Sequence, residues 1–445
     1  MNGLLFRGAA TLGGPREDIR VRAGRIVATG SLSPELRETV IDADGLVALP
    51  GFVDLHTHLR EPGGEVSETV LSGTQAAAAG GFTAVHAMAN TTPVADTAGV
   101  VEQVERLGRR HGYATVRPIG AVTAGLAGER LSEIGAMARS NAAVRVFSDD
   151  GKCVHDALLM RRALEYVATF DGVIAQHAQE PRLTDGAQMN EGALSGELGL
   201  AGWPAVAEEA IIARDVLLAE HVGARLHICH VSTAGSVDVL RWAKARGISV
   251  TAEVTPHHLL LTEELARGYD PRFKVNPPLR RDEDVRALRA ALADGTIDIV
   301  ATDHAPHPAE AKECTWAEAA FGMVGLESAL PVVQTALIET GMLDWADIAR
   351  VLSTAPAAIG RLAGYDAPLA EGSAAHLTLV DPAARRVWGS DDLRGRSANT
   401  PYTGISLAGV IVATVHGGVP TVLAGVMRPA ENVAAGAAPG EENHG

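Results

Sequence analysis

Through the middle of this chain short apolar runs alternate with longer amphipathic stretches. Runs of strand length begin near Gly51, Thr83, Thr115, Ala143, Val173, Arg225, Ser249 and Ile297. Stretches with helical spacing separate them. Ser67 to Ala79, rich in alanine and followed by Gly80-Gly81, predicts a helix with a glycine stop. A strand followed by a helix, eight times over, predicts parallel strands in an α/β fold, a TIM-type (β/α)8 barrel. A doubly wound open sheet is the alternative, but no Gly-rich dinucleotide fingerprint follows the first strand.

The two ends of the chain have a different pattern. Ile19 to Val27, His376 to Val380 and Val410 to Val415 are β-type runs bounded by turns. They predict a small β-sheet domain built from both chain ends, with residues 1–50 and 366–430 flanking a barrel of residues 51–365. Residues 431–445, rich in Ala, Gly and Glu, read as a disordered tail.

Composition narrows the partners. The 445 residues suffice for a barrel and a satellite domain, and 47% hydrophobic with 21% charged residues is globular usage. A net charge of −16 argues against nucleic acid as a partner. No apolar run is long enough to span a membrane, and the N-terminus lacks a signal-peptide pattern. Cys153, Cys229 and Cys314 are far apart and in no paired motif, which fits a reducing cytoplasm and argues against a cysteine zinc site.

The candidate chemistry lies where the apolar runs end. In a parallel barrel these ends share one rim, the rim that carries active sites. The first run ends in His56-Thr57-His58-Leu59-Arg60, and alternation along a strand predicts that His56 and His58 point one way, Leu55 and Thr57 the other. The second ends near Asn90, the fourth in Asp149-Asp150, the fifth at His177, the sixth at His230 and the eighth in Asp303-His304. Imidazoles and carboxylates converging on one rim are the ligand types of Zn²⁺, enough for two ions sharing a bridging carboxylate. Such a pair polarises a carbonyl and acidifies a water, and an aspartate on one ion can carry the proton to a leaving nitrogen.

Seven motifs carry a resemblance over nearly the whole chain: Asp54 to Gly63, Ala87 to Thr91, Phe147 to Gly151, His177 to Glu180, His230 to Thr233, Lys274 to Arg280 and Ala301 to His307. In order and spacing they resemble the bacterial class I dihydroorotases of the amidohydrolase superfamily. The resemblance implies zinc, one or two ions per subunit with two expected. His56, His58 and Asp303 would hold a buried ion, and His177 and His230 a more exposed one. It places Asp150 as the bridging ligand, with Asp149 the fallback. Many relatives bridge with a carboxylated lysine on the fourth strand, but Arg145 stands there and stays protonated.

For substrate binding the resemblance implies His58, Arg60, Asn90, Asn276, His307 and the backbone at Phe321 and Gly322. Arg60 is a two-pronged donor suited to a carboxylate, with Asn90 and His307 beside it. Asn276 would read the ring, or serve as a turn residue before Pro277-Pro278. The implied reaction is reversible hydrolysis of (S)-dihydroorotate to N-carbamoyl-L-aspartate in pyrimidine biosynthesis. Metal-bound hydroxide would attack the ring carbonyl and Asp303 would shuttle the proton. A homo-oligomer and an association with aspartate transcarbamoylase stay open.

Other residues stay without an assigned role. His257 and His258 could orient neighbours, His86 and His227 read as barrel-wall residues, Cys229 as a buried hydrophobe, and Pro308 to Ala320 as a lid or a solvated loop. A hydantoinase or allantoinase is disfavoured by Arg145, Asp150 and Arg60. A metal-free scaffold is disfavoured by the full ligand set.

Overall fold

The computed structural model describes residues 3–429. The tail expected over 431–445 lies outside the described residues. The chain opens with β1 (Leu4–Thr11), β2 (Arg16–Arg22), β3 (Arg25–Gly30), β4 (Thr39–Asp42) and β5 (Val47–Pro50). The β2–β3 hairpin turns at Ala23 and Gly24, at φ of 49° and 77°, the positive-φ pair that matches strand twist in a two-residue loop.

Ten strands follow in the middle of the chain: β6 (Phe52–Thr57), β7 (Phe82–Ala87), β8 (Thr115–Pro118), β9 (Val146–Phe147), β10 (Val173–Gln176), β11 (Met189–Asn190), β12 (Gly202–Trp203), β13 (Leu226–Ile228), β14 (Val250–Val254) and β15 (Ile299–Val300). The chain closes with β16 (Leu377–Val387), β17 (Ser406–His416), β18 (Val419–Leu423) and β19 (Val426–Met427).

Both ends build one 9-stranded sheet, ordered β19-β18-β17-β16-β5-β1-β2-β3 with β4 beside β1. Its seam is the antiparallel pair β5–β16, where Pro50 faces Leu377. Phe6, Ile19, Ile26, Leu377, Leu379 and Val415 bury one face of it together.

The middle strands form two parallel sheets, β6-β7-β8 and β15-β14-β13-β10-β9. Their edges meet twice: Thr57 bridges His304 and Gly120 bridges Phe147, both parallel. Helices connect most of the strands, as parallel pairing requires. Leu55, Met88, Ile119, Val146, Val173, Ala175, Cys229 and Ile299 pack into one buried cluster. Among the described residues no helix is long and apolar enough to cross a membrane.

Three local expectations need correction. The first helix is Val70–Ala79, not Ser67 onward, because Thr69 and Ser72 form a reciprocal capping box that fixes its start. The fourth strand starts at Val146 rather than near Ala143, which sits at φ 47° in the turn after the helix Ile134–Arg139. Strict alternation also fails in β6. Its register against β7 slips between Asp54 and Thr57, a bulge, and Leu55 lies in that buried cluster.

Candidate active site

The ends of the parallel strands bring together the residues that the sequence singled out. His56 and His58 end β6, Asp150 follows β9, His177 follows β10, His230 follows β13 and Asp303 follows β15. His56 Nε2 lies 3.3 Å from Asp150 Oδ1 and 3.4 Å from Asp303 Oδ1. His58 Nε2 lies 3.2 Å from Asp150 Oδ2 and 3.2 Å from Asp303 Oδ1. His177 Nδ1 and His230 Nε2 lie 3.2 and 3.3 Å from Asp150 Oδ1. Two donor groups result, His56–His58–Asp150–Asp303 and Asp150–His177–His230, each with ligand atoms within 4.8 Å of one another. Asp150 is common to both.

Hydrogen bonds behind the imidazoles fix which nitrogen faces inward. His56 Nδ1–H donates to Glu253 Oε1 (2.6 Å), His58 Nδ1–H to Asn90 Oδ1 (2.9 Å) and His177 Nε2–H to Gln179 Oε1 (2.6 Å). The opposite nitrogen of each ring then faces the carboxylates, placed to ligate a cation in place of a proton. Asp54 ties the site's first and last strands, accepting from His56 N (3.0 Å), Thr302 N (3.1 Å) and Thr302 Oγ1 (2.5 Å). Complete burial raises Asp54 to about 7.

The electrostatics call for a cation. Asp150 and Asp303 are 4% and 5% exposed, and among the described residues their ion-pair partners are histidines alone. Burial opposes their ionisation, yet His56 and the neighbouring imidazoles hold Asp150 well below the usual carboxylate range and Asp303 at about 2. Burial likewise opposes a charge on His56, but Asp150, Glu253 and Asp303 raise it well above an ordinary histidine. His56 Nε2 is buried without a hydrogen-bond partner. A buried set of imidazole nitrogens and carboxylate oxygens of this kind fits a divalent metal.

The alternatives point elsewhere. Asp149 accepts from Val122 N (2.8 Å), Thr123 N (2.9 Å) and Thr123 Oγ1, so its carboxylate serves the neighbouring loop. Arg145 donates to Ala138 O and Val144 O. Lys152 is exposed.

The expected substrate residues surround the cluster, several of them engaged with the protein. Among the described residues the Arg60 side chain makes one hydrogen bond, Nε–H to Pro306 O (3.3 Å), from a backbone at φ 60°. Burial lowers it from the ordinary arginine value. Asn90 is held by His58. Asn276 Nδ2 donates to Gln179 Oε1 (3.1 Å), while Asn276 Oδ1 is buried without a partner. His307 Nε2–H donates to Phe321 O (2.8 Å); burial and the Arg60 and Lys312 charges lower it to about 3, so it is neutral. Gly322 sits at φ 133°, where a Cβ would come 2.8 Å from His307 Nε2. Its N–H donates to Lys274 O (2.9 Å).

The segment Pro308 to Ala320 is anchored from below. Lys312 Nζ donates to Ala320 O (2.7 Å) and Lys274 O (3.1 Å), and Lys274 Nζ to Trp316 O (2.6 Å). A cleft of ≈ 710 Å³ beside it is lined by His307, Lys312 and Asn399, among others. His86 and His227 are buried and hydrogen-bond to Asp54 O and Glu253. His258 donates to Pro277 O (3.2 Å), whereas His257 Nε2 is buried without a partner.

Sequence reading missed Glu253, Gln179 and Asn399. Glu253 left one signal, a lone carboxylate inside the apolar run Val250–Val254. Asn399 left none: its amide donates to Ala305 O and Gly322 O and its carbonyl accepts from His307 N, all far away in the chain.

A family described as Dihydro-orotase-like matches residues 45–236. A dihydroorotase of Leifsonia xyli subsp. xyli is 73% identical over 95% of this chain and 97% of its own length. One from Streptomyces coelicolor is 64% identical over 96% of this chain and 99% of its own length, and one from Mycobacterium tuberculosis is 54% identical over 96% and 99%. Among solved structures, an L-hydantoinase from Arthrobacter aurescens superposes with a TM-score of 0.84 at 24% identity, covering 96% of this chain and 98% of that one. At that identity the likeness is one of fold.

Proposed function

This chain belongs to the dihydroorotase family, and from that premise we propose that His56, His58, Asp150, His177, His230 and Asp303 hold two zinc ions around which the reaction runs. The chain is a cyclic amide hydrolase, and its reaction is the reversible opening of dihydroorotate to N-carbamoyl-L-aspartate. The observation that carries the metal reading is the shared Asp150 carboxylate, within 3.3 Å of nitrogens from all four histidines.

When bound there, zinc supplies Lewis acidity toward the ring carbonyl and toward water. The protein's own groups do the rest. His56, His58 and His177 are locked by their outer hydrogen bonds into the tautomer that leaves a ligating nitrogen inward. Asp303, ionised at neutral pH, takes the proton of the attacking water on its carboxylate and returns it to the departing ring nitrogen. Arg60 meets the substrate carboxylate with the guanidinium nitrogens it does not give to Pro306. Asn276 Oδ1, an acceptor with no partner, takes a ring N–H. His307 and Asn90 flank the carboxylate, and the backbone at Phe321 and Gly322 borders the ring.

The same reading treats the two parallel sheets, which meet at both edges, as one closed (β/α)8 barrel of residues 51–365. The small β domain is then residues 1–50 with 366–430. The three cysteines, none paired with another, suit a cytoplasmic enzyme.

Turnover of dihydroorotate, hydantoin and allantoin by one purified sample tests the substrate assignment. Dihydroorotate is the expected substrate; hydrolysis of hydantoin without dihydroorotate overturns the assignment.

A further inference from the structure

Beneath the proposed metal cluster a second layer of polar side chains crosses the interior of the strand ring. Glu253, on β14, is 1% exposed, and its carboxylate is fully occupied. Oε1 accepts from His56 Nδ1–H at 2.6 Å and from the backbone N–H of His230 at 3.2 Å. Oε2 accepts from His227 Nε2–H at 3.0 Å. His227 is itself fully buried, and its Nδ1 accepts from Thr251 Oγ1–H at 2.9 Å. The row thus runs Thr251, His227, Glu253, His56, and it leaves His56 Nε2 facing the proposed metal cluster.

A buried carboxylate with no lysine or arginine beside it is costly unless its charge acts on something. Here it touches one ligand from each donor group, His56 through the imidazole and His230 through the main chain. A histidine that donates Nδ1–H to a carboxylate keeps its proton there, becomes a stronger ligand at Nε2, and holds its ring plane fixed. His227, pinned by Thr251, keeps Glu253 from rotating toward any other donor.

We propose that Glu253 is a positioning residue for the metal pair: with His227 and Thr251 behind it, it fixes the tautomer and aim of His56 and sets the affinity of the ion that His56 shares with His58 and Asp303. This rests on the metal reading given above. Nothing in the reaction requires Glu253 to touch substrate, so its effect is expected in metal binding first and in turnover only as a consequence.

The test is zinc and cobalt titration of the chelated full-length chain in wild type, Glu253→Gln, Glu253→Asp and His227→Gln. Glu253→Gln keeps the size of the side chain and removes its charge. It is expected to weaken one ion by roughly 10–100-fold, the usual effect of losing such a partner. It should also change the visible spectrum of the cobalt form, with turnover recovering in excess zinc and KM for dihydroorotate little altered. Glu253→Asp should restore part of the affinity, and His227→Gln should lose less than Glu253→Gln. A folded Glu253→Gln chain with wild-type zinc affinity and cobalt spectrum overturns the proposal. If that variant does not fold, wild-type affinity in His227→Gln overturns it instead. Wild-type protein that takes up no zinc would overturn the metal reading itself, a distinguishable result.

Discussion

The two halves of the proposed active site differ in readiness. On the metal side, six proposed ligands stand in two groups that share Asp150, the ligand atoms of each group within 4.8 Å of one another, and Glu253, Asn90 and Gln179 hold three of the four imidazoles from behind. On the substrate side, the groups that would receive dihydroorotate are engaged with the protein. His307 gives its one N–H to Phe321 O, Asn276 gives its amide to Gln179, and Arg60 gives Nε–H to Pro306 O. The metal half is preorganised, as electrostatic stabilisation of a transition state requires. The substrate half must exchange hydrogen bonds when the ligand arrives. Gln179 joins the halves, since Oε1 accepts from both His177 and Asn276.

The largest effect should come from breaking the metal half at its reactive carboxylate. Asp303→Asn keeps an oxygen donor but loses the base, so kcat should fall by about 10²–10⁴-fold while zinc content, measured by elemental analysis, stays close to wild type. Metal-replete mutant protein with near wild-type turnover would remove Asp303 from its role. Arg60→Gln tests the substrate half. A charge-assisted hydrogen bond contributes about 1.5–3 kcal/mol, so kcat/KM for dihydroorotate should drop roughly 10–150-fold, mostly through KM, with zinc affinity unchanged.

The smallest effect concerns the anchored segment over the substrate side. Burial lowers Lys312 from 10.5 to about 7. Between these values the unfolded chain binds a proton that the folded chain does not. Stability from this group is therefore fully present above the unfolded value and is lost as pH falls toward 7. Lys312→Met removes that dependence. The stability of wild type relative to the variant should rise with pH from 7 to 10, by at most about 1.4 kcal/mol per unit, as followed by thermal melts. Parallel melting curves across that range would show that Lys312 stays charged where it lies.

The halves also differ in how far the sequence revealed them. The ligands could be read because each ends an apolar strand, and such runs stand out regardless of tertiary contacts. The supports were hidden. Glu253 meets His56 across 197 residues, and Asn399 meets His307 across 92, so no local pattern joins them. A bulge breaks the two-residue period in β6, and the helix start at Val70 was set by a Thr69–Ser72 capping box that composition does not reveal. In the sequence the choice of Asp150 over Asp149 rests on resemblance alone, because adjacent residues at one strand end differ in which way they face and no local pattern shows that.

The central claim is that one carboxylate ties two metal sites together. Zinc per chain and dihydroorotate turnover, measured side by side after chelation and stepwise return of zinc in wild type and Asp150→Ala, test it most directly. Two zinc ions per wild-type chain are expected, with turnover returning as they bind, and weakened binding at both sites with little turnover in Asp150→Ala. Undiminished turnover in the fully chelated wild type, or two tightly held ions in Asp150→Ala, would contradict it.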